Sequence, residues 1–178
     1  VAYGFGDASG AGAGSGIEFM GKTRLRFGVW CSEISEQSSN YRELLNLVLG
    51  MEARYESGRL RGVEVFLFTD NAVAEGAYYK GSAVSKHLHE LILRLRKIEM
   101  MGEMILHVIH VSGKRMIKSG IDGLSRGDTH EGVAVGKRML EFVGLHLSAD
   151  KRSHTFLHWV TKMWPEKNCG NLTLLEHN

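Results

Sequence analysis

The sequence predicts an α/β domain built on a five-stranded mixed sheet, three antiparallel strands and then parallel ones, flanked by helices and followed by a helical extension. Residues 1–30 contain three strand-like runs joined by short glycine turns, which is typical of an antiparallel meander. Residues 63–69 and 104–111 are short apolar runs rich in β-branched and aromatic residues, and helix-like segments separate them. Strands joined through a helix run parallel, so the sheet is mixed.

Length and composition fit one folded domain with an appendage. The chain has 178 residues, of which 43% are hydrophobic and 24% are charged, enough to bury a real core. We expect residues 1–126 to form the α/β domain and residues 127–178 the helical extension, because 132–143 and 148–164 are amphipathic. The formal net charge of +2 is too near balance to indicate nucleic-acid binding, so any basic surface must be local.

The glycines after the first strand allow two interpretations. Gly10, Gly12, Gly14 and Gly16 could form a dinucleotide-binding loop, but such a loop leads into a helix whose N-terminus faces the pyrophosphate. Here the glycines lead into further strand-like residues. The pattern therefore favours ordinary hairpin turns.

Three helices are predicted between the strands, over about 41–58, 71–79 and 85–101. Ser38-Ser39-Asn40 has the composition of a helix cap and precedes the first of them. Glu43 is expected in that helix's first turn, where an acid can act simply as a capping or dipole-favoured residue. The charged residues of 85–101 allow two interpretations: they form a solvated helix face, or they form a surface that contacts a phosphate backbone.

Four carboxylates occupy positions that the predicted topology can bring together. Asp7 lies on the first strand, Glu43 on the following helix, Asp70 at the end of the fourth strand, and Asp122 near the start of a later helix. If the first and fourth strands are neighbours, all four converge at one end of the sheet. Divalent cations relieve the repulsion of clustered carboxylates, and hard oxygen ligands suit Mg²⁺ or Mn²⁺. Two such ions, about 4 Å apart, can clamp a phosphodiester between them.

The cysteines and the apolar runs bear on the compartment. Cys31 and Cys169 lie far apart without a metal-binding spacing, so we expect reduced thiols in an intracellular protein, cytoplasmic or nuclear, although a disulfide stays open. No apolar stretch is long enough to span a bilayer, and no signal-peptide pattern is present, so no membrane association is expected. The chain starts at Val1 inside a strand-like run, which suggests a piece of a longer polypeptide.

The motifs around these carboxylates resemble the ribonuclease H family, and within it the domains carried by reverse transcriptases of retroelements. The resemblance covers residues 1–126, and its motifs occur in the family's order on the expected elements. They are Gly6-Asp7-Ala8-Ser9, Ser38-Ser39-Asn40-Tyr41-Arg42-Glu43-Leu44, Thr69-Asp70-Asn71 and Ile121-Asp122-Gly123-Leu124-Ser125-Arg126.

The resemblance implies an enzyme that hydrolyses the RNA strand of an RNA–DNA hybrid, leaving a 5′-phosphate and a 3′-hydroxyl. It implies two Mg²⁺ (or Mn²⁺) as cofactors, and the hybrid and an upstream reverse transcriptase domain as partners. The implied metal ligands and catalytic residues are Asp7, Glu43, Asp70 and Asp122.

Further residues match positions that have roles other than metal binding in the family. The implied contacts with the nucleic-acid backbone are Ser39, Asn40 and Asn71, and His110 resembles the family's mobile-loop histidine, with a catalytic role in proton transfer or product release. Two departures are visible. The segment from His110 to Asp122 is longer than usual, and a basic, tryptophan-bearing protrusion after the fourth strand is missing, so affinity for an isolated hybrid should be modest.

Two other functions are consistent with the same fold. The first is a binding module that has lost catalysis, but a structural core has little physical reason to keep four converging charges. The second is a DNA-cutting relative such as a transposase or resolvase. The Ser-x-Asn and Leu-Ser-Arg sequences argue against the second.

Overall fold

The computed structural model describes residues 1–127, 133–134, 157–158 and 173–177. Within these ranges the chain forms strands and helices in alternation. The strands are β1 (Ala2–Ala8), β2 (Gly12–Phe19), β3 (Lys22–Val29), β4 (Glu64–Thr69), β5 (Ile105–His110), β6 (Val133–Ala134), β7 (Leu157–His158) and β8 (Thr173–His177). The helices are α1 (Ser32–Ser35), α2 (Ser39–Glu56), α3 (Ala72–Lys80), α4 (Lys86–Met101), α5 (Gly113–Ser119) and α6 (Ile121–Ser125).

The main sheet has the strand order β5-β4-β1-β2-β3-β8. β1, β2 and β3 form the predicted antiparallel meander. Gly12, Gly14 and Gly16 lie within β2, so the prediction that they form hairpin turns is wrong for these three. The turn between β2 and β3 has positive φ at Met20 and Gly21. β4 pairs in parallel with both β1 and β5. The predicted five-stranded mixed sheet is confirmed, including the adjacency of the first and fourth strands.

The core lies on both faces of this sheet. Alternate residues of β4 point to opposite faces, so Val65 and Leu67 join the cluster beneath α2 and α4, whereas Phe68 joins the cluster beneath α5 and α6. Trp30 and Tyr78 are among the largest fully buried side chains. The long amphipathic helices thus fix one face of the sheet, and the short pair α5–α6 covers the other near the carboxyl end of β1.

The C-terminal segment departs from its predicted helical character at every residue described. Residues 133–134 and 157–158, which fall inside the predicted helices 132–143 and 148–164, pair as the strands β6 and β7. Residues 173–177 form β8, which adds a sixth strand antiparallel to β3. The helix prediction is wrong at residues 133–134 and 157–158, because these residues pair as strands; the remainder of both predicted helices lies outside the described residues.

Two further observations bear on the compartment. Cys31 is in a disulfide, which contradicts the expectation of reduced thiols, because spacing along the sequence does not record which sulfur atoms approach each other in the folded chain. In the described part of the chain, no helix combines the length and the apolar character needed to cross a bilayer.

Candidate metal centre

The candidate site lies where three parallel strands end. β1, β4 and β5 run in the same direction, so their carboxyl ends meet at one edge of the sheet. Asp7 is the penultimate residue of β1, and Asp70 directly follows β4. Carboxyl ends of parallel strands are where open α/β sheets place their ligands.

Glu43 reaches this edge from α2. The helix begins at Ser39, and its cap is Ser38, whose Oγ accepts a hydrogen bond from the Tyr41 backbone N–H at 3.2 Å. Glu43 therefore lies beyond the first turn, and the capping interpretation of this residue is wrong. Its Oε1 instead accepts a hydrogen bond from the Ala8 backbone N–H at 3.0 Å, so the side chain bridges α2 and the end of β1.

Asp7, Glu43 and Asp70 form one cluster, in which a carboxylate oxygen from each lies within 4.8 Å of the others. Asp7 and Glu43 are only 4% and 5% exposed, and Asp70 is half-buried. Burial raises the pKa of Glu43, and the charge of Asp7 raises it further. Burial likewise raises the pKa of Asp7 and of Asp70, and nearby carboxylates add to both effects. Without a cation, the cluster therefore holds protons that free carboxylates would have released.

The cluster fits a divalent metal ion. Glu43 Oε2 is buried and has no hydrogen-bond donor among the described residues, so it retains an unused lone pair beside Asp7. Three hard carboxylate oxygens of this kind are the ligand set that Mg²⁺ and Mn²⁺ prefer. A bound cation would favour the charged forms that burial disfavours.

Asp122 lies beside this cluster, not within it. It is the second residue of α6, as predicted, and its carboxylate accepts hydrogen bonds from Arg126 one turn later, with Nη2 3.1 Å from Oδ1. Its charge helps to raise the pKa of Asp7 and of Asp70, so it lies close enough to interact with both. The structure thus groups three of the four predicted acids and places the fourth next to them, in an ion pair.

Ser125 ties α6 to the site, although the sequence marked it only as part of a family motif. Its buried Oγ lies 2.7 Å from the Asp122 carbonyl oxygen and 3.4 Å from Asp7 Oδ2. Its own carbonyl accepts a hydrogen bond from Ser9 Oγ at 2.8 Å. The Leu-Ser-Arg sequence therefore has a local physical role, since it fastens the helix that carries Asp122 to the end of β1.

The predicted backbone-binding residues lie at the amino ends of α2 and α3. Ser39 is the exposed first residue of α2. Asn71 caps α3 by accepting a hydrogen bond from the Ala74 backbone N–H at 2.9 Å, and its Nδ2 donates to Asn40 Oδ1, also at 2.9 Å. This pair of asparagines joins the two helix N-termini beside Asp70.

His110 ends β5 and is exposed. Its backbone N–H donates to the Glu75 carboxylate, and its charge is one of the influences that lower the pKa of Asp70. The segment between His110 and Asp122, predicted as a loop, contains α5. A Cβ built at Gly113, the first residue of α5, would lie 3.3 Å from Asp70 Oδ2, so this helix closely approaches the site.

Asn46 is a site residue that the sequence reasoning missed. It is fully buried, and its Nδ2 donates to the carbonyls of Asp7 and Gly14. A signal was available, because Asn46 lies one turn after Glu43 among the apolar positions that define the buried face of α2. A polar residue on such a face needs a partner inside the protein.

Solved structures of ribonucleases H share this architecture. The structure of LC11-RNase H1, isolated from compost by a metagenomic approach, in complex with an RNA/DNA hybrid matches with a TM-score of 0.51 at 21% identity. The match covers 69% of this chain and 91% of that one. The chain has a ribonuclease H fold. RNase H1 from the halophilic archaeon Halobacterium salinarum NRC-1 has a TM-score of 0.46 at 16% identity, covering 71% of this chain and 94% of that one.

No protein-family model and no curated protein sequence matches the chain. At 21% identity, the likeness to LC11-RNase H1 establishes the ribonuclease H fold alone. The predicted fold class is thereby confirmed for the sheet and its helices, and what the site does must be argued from its own residues.

Proposed function

We propose that the chain is a ribonuclease H, a metal-dependent endonuclease that hydrolyses the RNA strand of RNA–DNA hybrids. The observation that carries the proposal is the cluster of Asp7, Glu43 and Asp70, placed where β1 and β4 of a ribonuclease H fold end. Burying Asp7 and Glu43 beside Asp70 is costly for a module that only binds, because a buried charge loses its hydration. A metal-dependent function explains why they are retained.

Different residues of the chain have different roles in this reaction. Asp7, Glu43 and Asp70 would hold two Mg²⁺ or Mn²⁺ ions, with Asp122 joining from α6. When bound, such ions supply Lewis acidity that activates water and stabilises the leaving oxygen. His110, exposed at the end of β5, is the candidate for proton transfer or product release.

Recognition of the hybrid is assigned to the amino ends of α2 and α3. Ser39, Asn40 and Asn71 lie there, and helix N-termini favour phosphate groups because their N–H groups and dipoles point outward. Asparagine side chains can also hydrogen-bond a ribose 2′-hydroxyl, which distinguishes RNA from DNA. The solved structure of LC11-RNase H1 holds an RNA/DNA hybrid, and this supports the same substrate class here.

We further propose that the domain belongs to a retroelement reverse transcriptase, with a polymerase domain upstream. Support comes from the Leu124-Ser125-Arg126 sequence after Asp122, which resembles retroelement forms. A coding sequence for a reverse transcriptase directly upstream would support this origin. An unrelated upstream sequence would contradict the retroelement origin but not the catalytic proposal.

A cleavage assay tests the catalytic proposal. A labelled RNA–DNA hybrid is incubated with the protein in Mg²⁺, Mn²⁺ or EDTA, beside double-stranded RNA and double-stranded DNA. We expect cleavage of the RNA strand of the hybrid in Mg²⁺ or Mn²⁺ and none in EDTA. An intact hybrid in both metals would instead favour a catalytically silent binding module, and cleavage of the DNA duplex would favour a DNA-cutting relative.

Asp70→Asn is the first variant for this assay. It removes a charged ligand with little change of shape, so we expect cleavage to be abolished while the fold is kept. Relief of like-charge repulsion should leave the melting temperature of the metal-free protein unchanged or raise it. Glu64→Gln, at the other end of the same strand, is the matched control and should cleave normally. If Asp70→Asn cleaves the hybrid at the wild-type rate, the assignment of Asp70 as a metal ligand is wrong.

A further inference from the structure

Helix α2 holds the end of β1 through three residues on one face. Glu43, Asn46 and Leu47 are spaced i, i+3 and i+4, so their side chains project from the same side of the helix. Glu43 accepts from Ala8, and Asn46 contacts Asp7. A Cβ built at Gly6 would lie 2.9 Å from Leu47 Cδ2, which shows how closely the helix approaches the strand.

Asn46 uses both of its amide hydrogens on β1 and β2. Its Nδ2 lies 3.0 Å from the Asp7 carbonyl oxygen and 2.8 Å from the Gly14 carbonyl oxygen. Asp7 and Gly14 face each other in the β1–β2 register. The side chain therefore joins the two strands at the position that carries the buried carboxylate.

The parallel partner of β1 is missing at this position. The β1–β4 register runs from Ala2↔Val65 to Phe5↔Phe68, so among the described pairings Asp7 lies beyond the last parallel pair. At Asp7, β1 therefore has no pairing with β4 among the described pairs. Asn46, which is 0% exposed, provides a fixed contact from above the sheet.

A small cavity adjoins the same side chain. It measures about 20 Å³, and Ser15, Asn46 and Gly50 are among its lining residues. Asn46 Oδ1 is buried and has no hydrogen-bond partner within the described ranges. A space of this size holds one water molecule, which would supply the donor that this oxygen needs.

We propose that Asn46 is a positioning residue for the metal centre, fixing the backbone of Asp7 so that its carboxylate meets those of Glu43 and Asp70. This inference rests on the proposed function, since it assigns Asp7 to metal binding. Asn46 does not touch the reacting atoms. It acts through the carbonyl groups of Asp7 and Gly14, as outer groups that orient metal ligands do.

Metal binding, measured apart from catalysis, tests the inference. Calorimetric titration with Mn²⁺ should show roughly tenfold weaker binding for Asn46→Ala than for the wild-type protein, the usual scale for loss of an orienting hydrogen bond. In the cleavage assay, kcat should fall while KM for the hybrid stays unchanged, because the residue lies away from the proposed backbone contacts. Asn46→Ser keeps one hydroxyl donor, so its Mn²⁺ affinity and kcat should lie between those of Asn46→Ala and the wild-type protein.

Val48→Ala is the matched control. Val48 is fully buried on the same helix, so its truncation costs stability without removing a hydrogen bond to Asp7. We expect this variant to have a lower melting temperature, wild-type Mn²⁺ affinity and wild-type kcat.

Three results would overturn the inference or its basis. Wild-type Mn²⁺ affinity in Asn46→Ala would reject the positioning role and leave the proposed function intact. Failure of the wild-type protein itself to bind Mn²⁺ or cut the hybrid would reject both. Should both variants fail to fold, hydrogen exchange of the Asn46 side-chain amide in the wild-type protein decides, and rapid exchange would reject the contacts on which the inference depends.

Discussion

At the scale of single residues, Asp7 and Glu43 place two neighbouring carboxyl groups where their charged forms are disfavoured. Both are almost completely buried, and burial is the main cause of their raised pKa values. Arg126, the nearby cation, pairs with Asp122 on the outer side of the site. The two inner acids therefore favour their protonated forms, and binding of a metal ion would require the loss of those protons.

This arrangement predicts a pH dependence of stability for the metal-free protein. Because the folded pKa values of Asp7 and Glu43 are raised, the native state binds more protons than the unfolded state above about pH 4, the ordinary carboxyl range. The free energy of unfolding should therefore fall as the pH rises between about 5 and 8. Urea denaturation at several pH values measures this slope.

Asp7→Asn provides the comparison, because it removes one of the two titrating groups and the repulsion on the other. Its unfolding free energy should depend less steeply on pH, whereas Glu103→Gln, which alters an exposed acid paired with Arg61, should retain the wild-type slope. In saturating Mg²⁺ the wild-type trend should reverse, since metal binding requires deprotonated ligands. A metal-free protein whose stability rises over this range would contradict the raised pKa values.

At the scale of elements, the site depends on how closely two helices approach the β1–β2 pair. α2 packs on one side at Gly6, and α6 packs on the other at Gly14. A Cβ at Gly14 would lie 3.0 Å from the Ser125 backbone nitrogen and 3.1 Å from the Ile121 carbonyl oxygen. Backbone atoms cannot turn aside as a flexible side chain can, so a Cβ at Gly14 would push α6 outward by a few tenths of an ångström.

Gly14→Ala should therefore displace α6 and with it Asp122. We expect a loss of about 1–3 kcal/mol in unfolding free energy, the range for overpacking, and a lower rate of hybrid cleavage. Gly10→Ala is the control, because a Cβ there meets no atom within 4 Å. Equal stability and equal cleavage for the two variants would show that α6 does not need this close approach.

At the scale of the whole molecule, β8 covers an edge of the sheet. Its five residues pair with β3 from Thr23↔His177 to Phe27↔Thr173. An unpaired strand edge exposes N–H and C=O groups that can pair with another chain. β8 therefore pairs with β3 along these five residues and leaves a five-residue strand, in place of the eight-residue β3, at this edge of the described sheet.

Deleting residues 173–178 should expose the β3 edge. We expect a lower melting temperature and self-association that increases with protein concentration, measured by thermal denaturation and light scattering. Deletion of Asn178 alone leaves β8 intact and is the control. If the longer deletion keeps the wild-type melting temperature and stays monomeric, β8 contributes nothing to the sheet.

Local patterns were sufficient for most of the elements. Helix α4 was predicted over 85–101 and occupies Lys86–Met101, because its apolar spacing and its long run of helix-forming residues agree. The strand ending before Asp70 was predicted from β-branched and aromatic residues, and β4 has nearly the same bounds. The short helix α5 was missed, since one or two turns leave too few residues to establish a period.

The sequence by itself determined the mixed sheet, its antiparallel and parallel parts and the four candidate acids, because hydrophobic periodicity and short motifs are local properties of the chain. The tertiary structure decided what depends on distance: three carboxylates grouped with Asp122 beside them, the disulfide at Cys31, the pairing of β8 with β3, and Asn46 bound to Asp7. The carboxylate cluster, the β3–β8 pairing and the Asn46 contact each join residues far apart in sequence, and no pattern within one helix or strand records which distant group a side chain will meet.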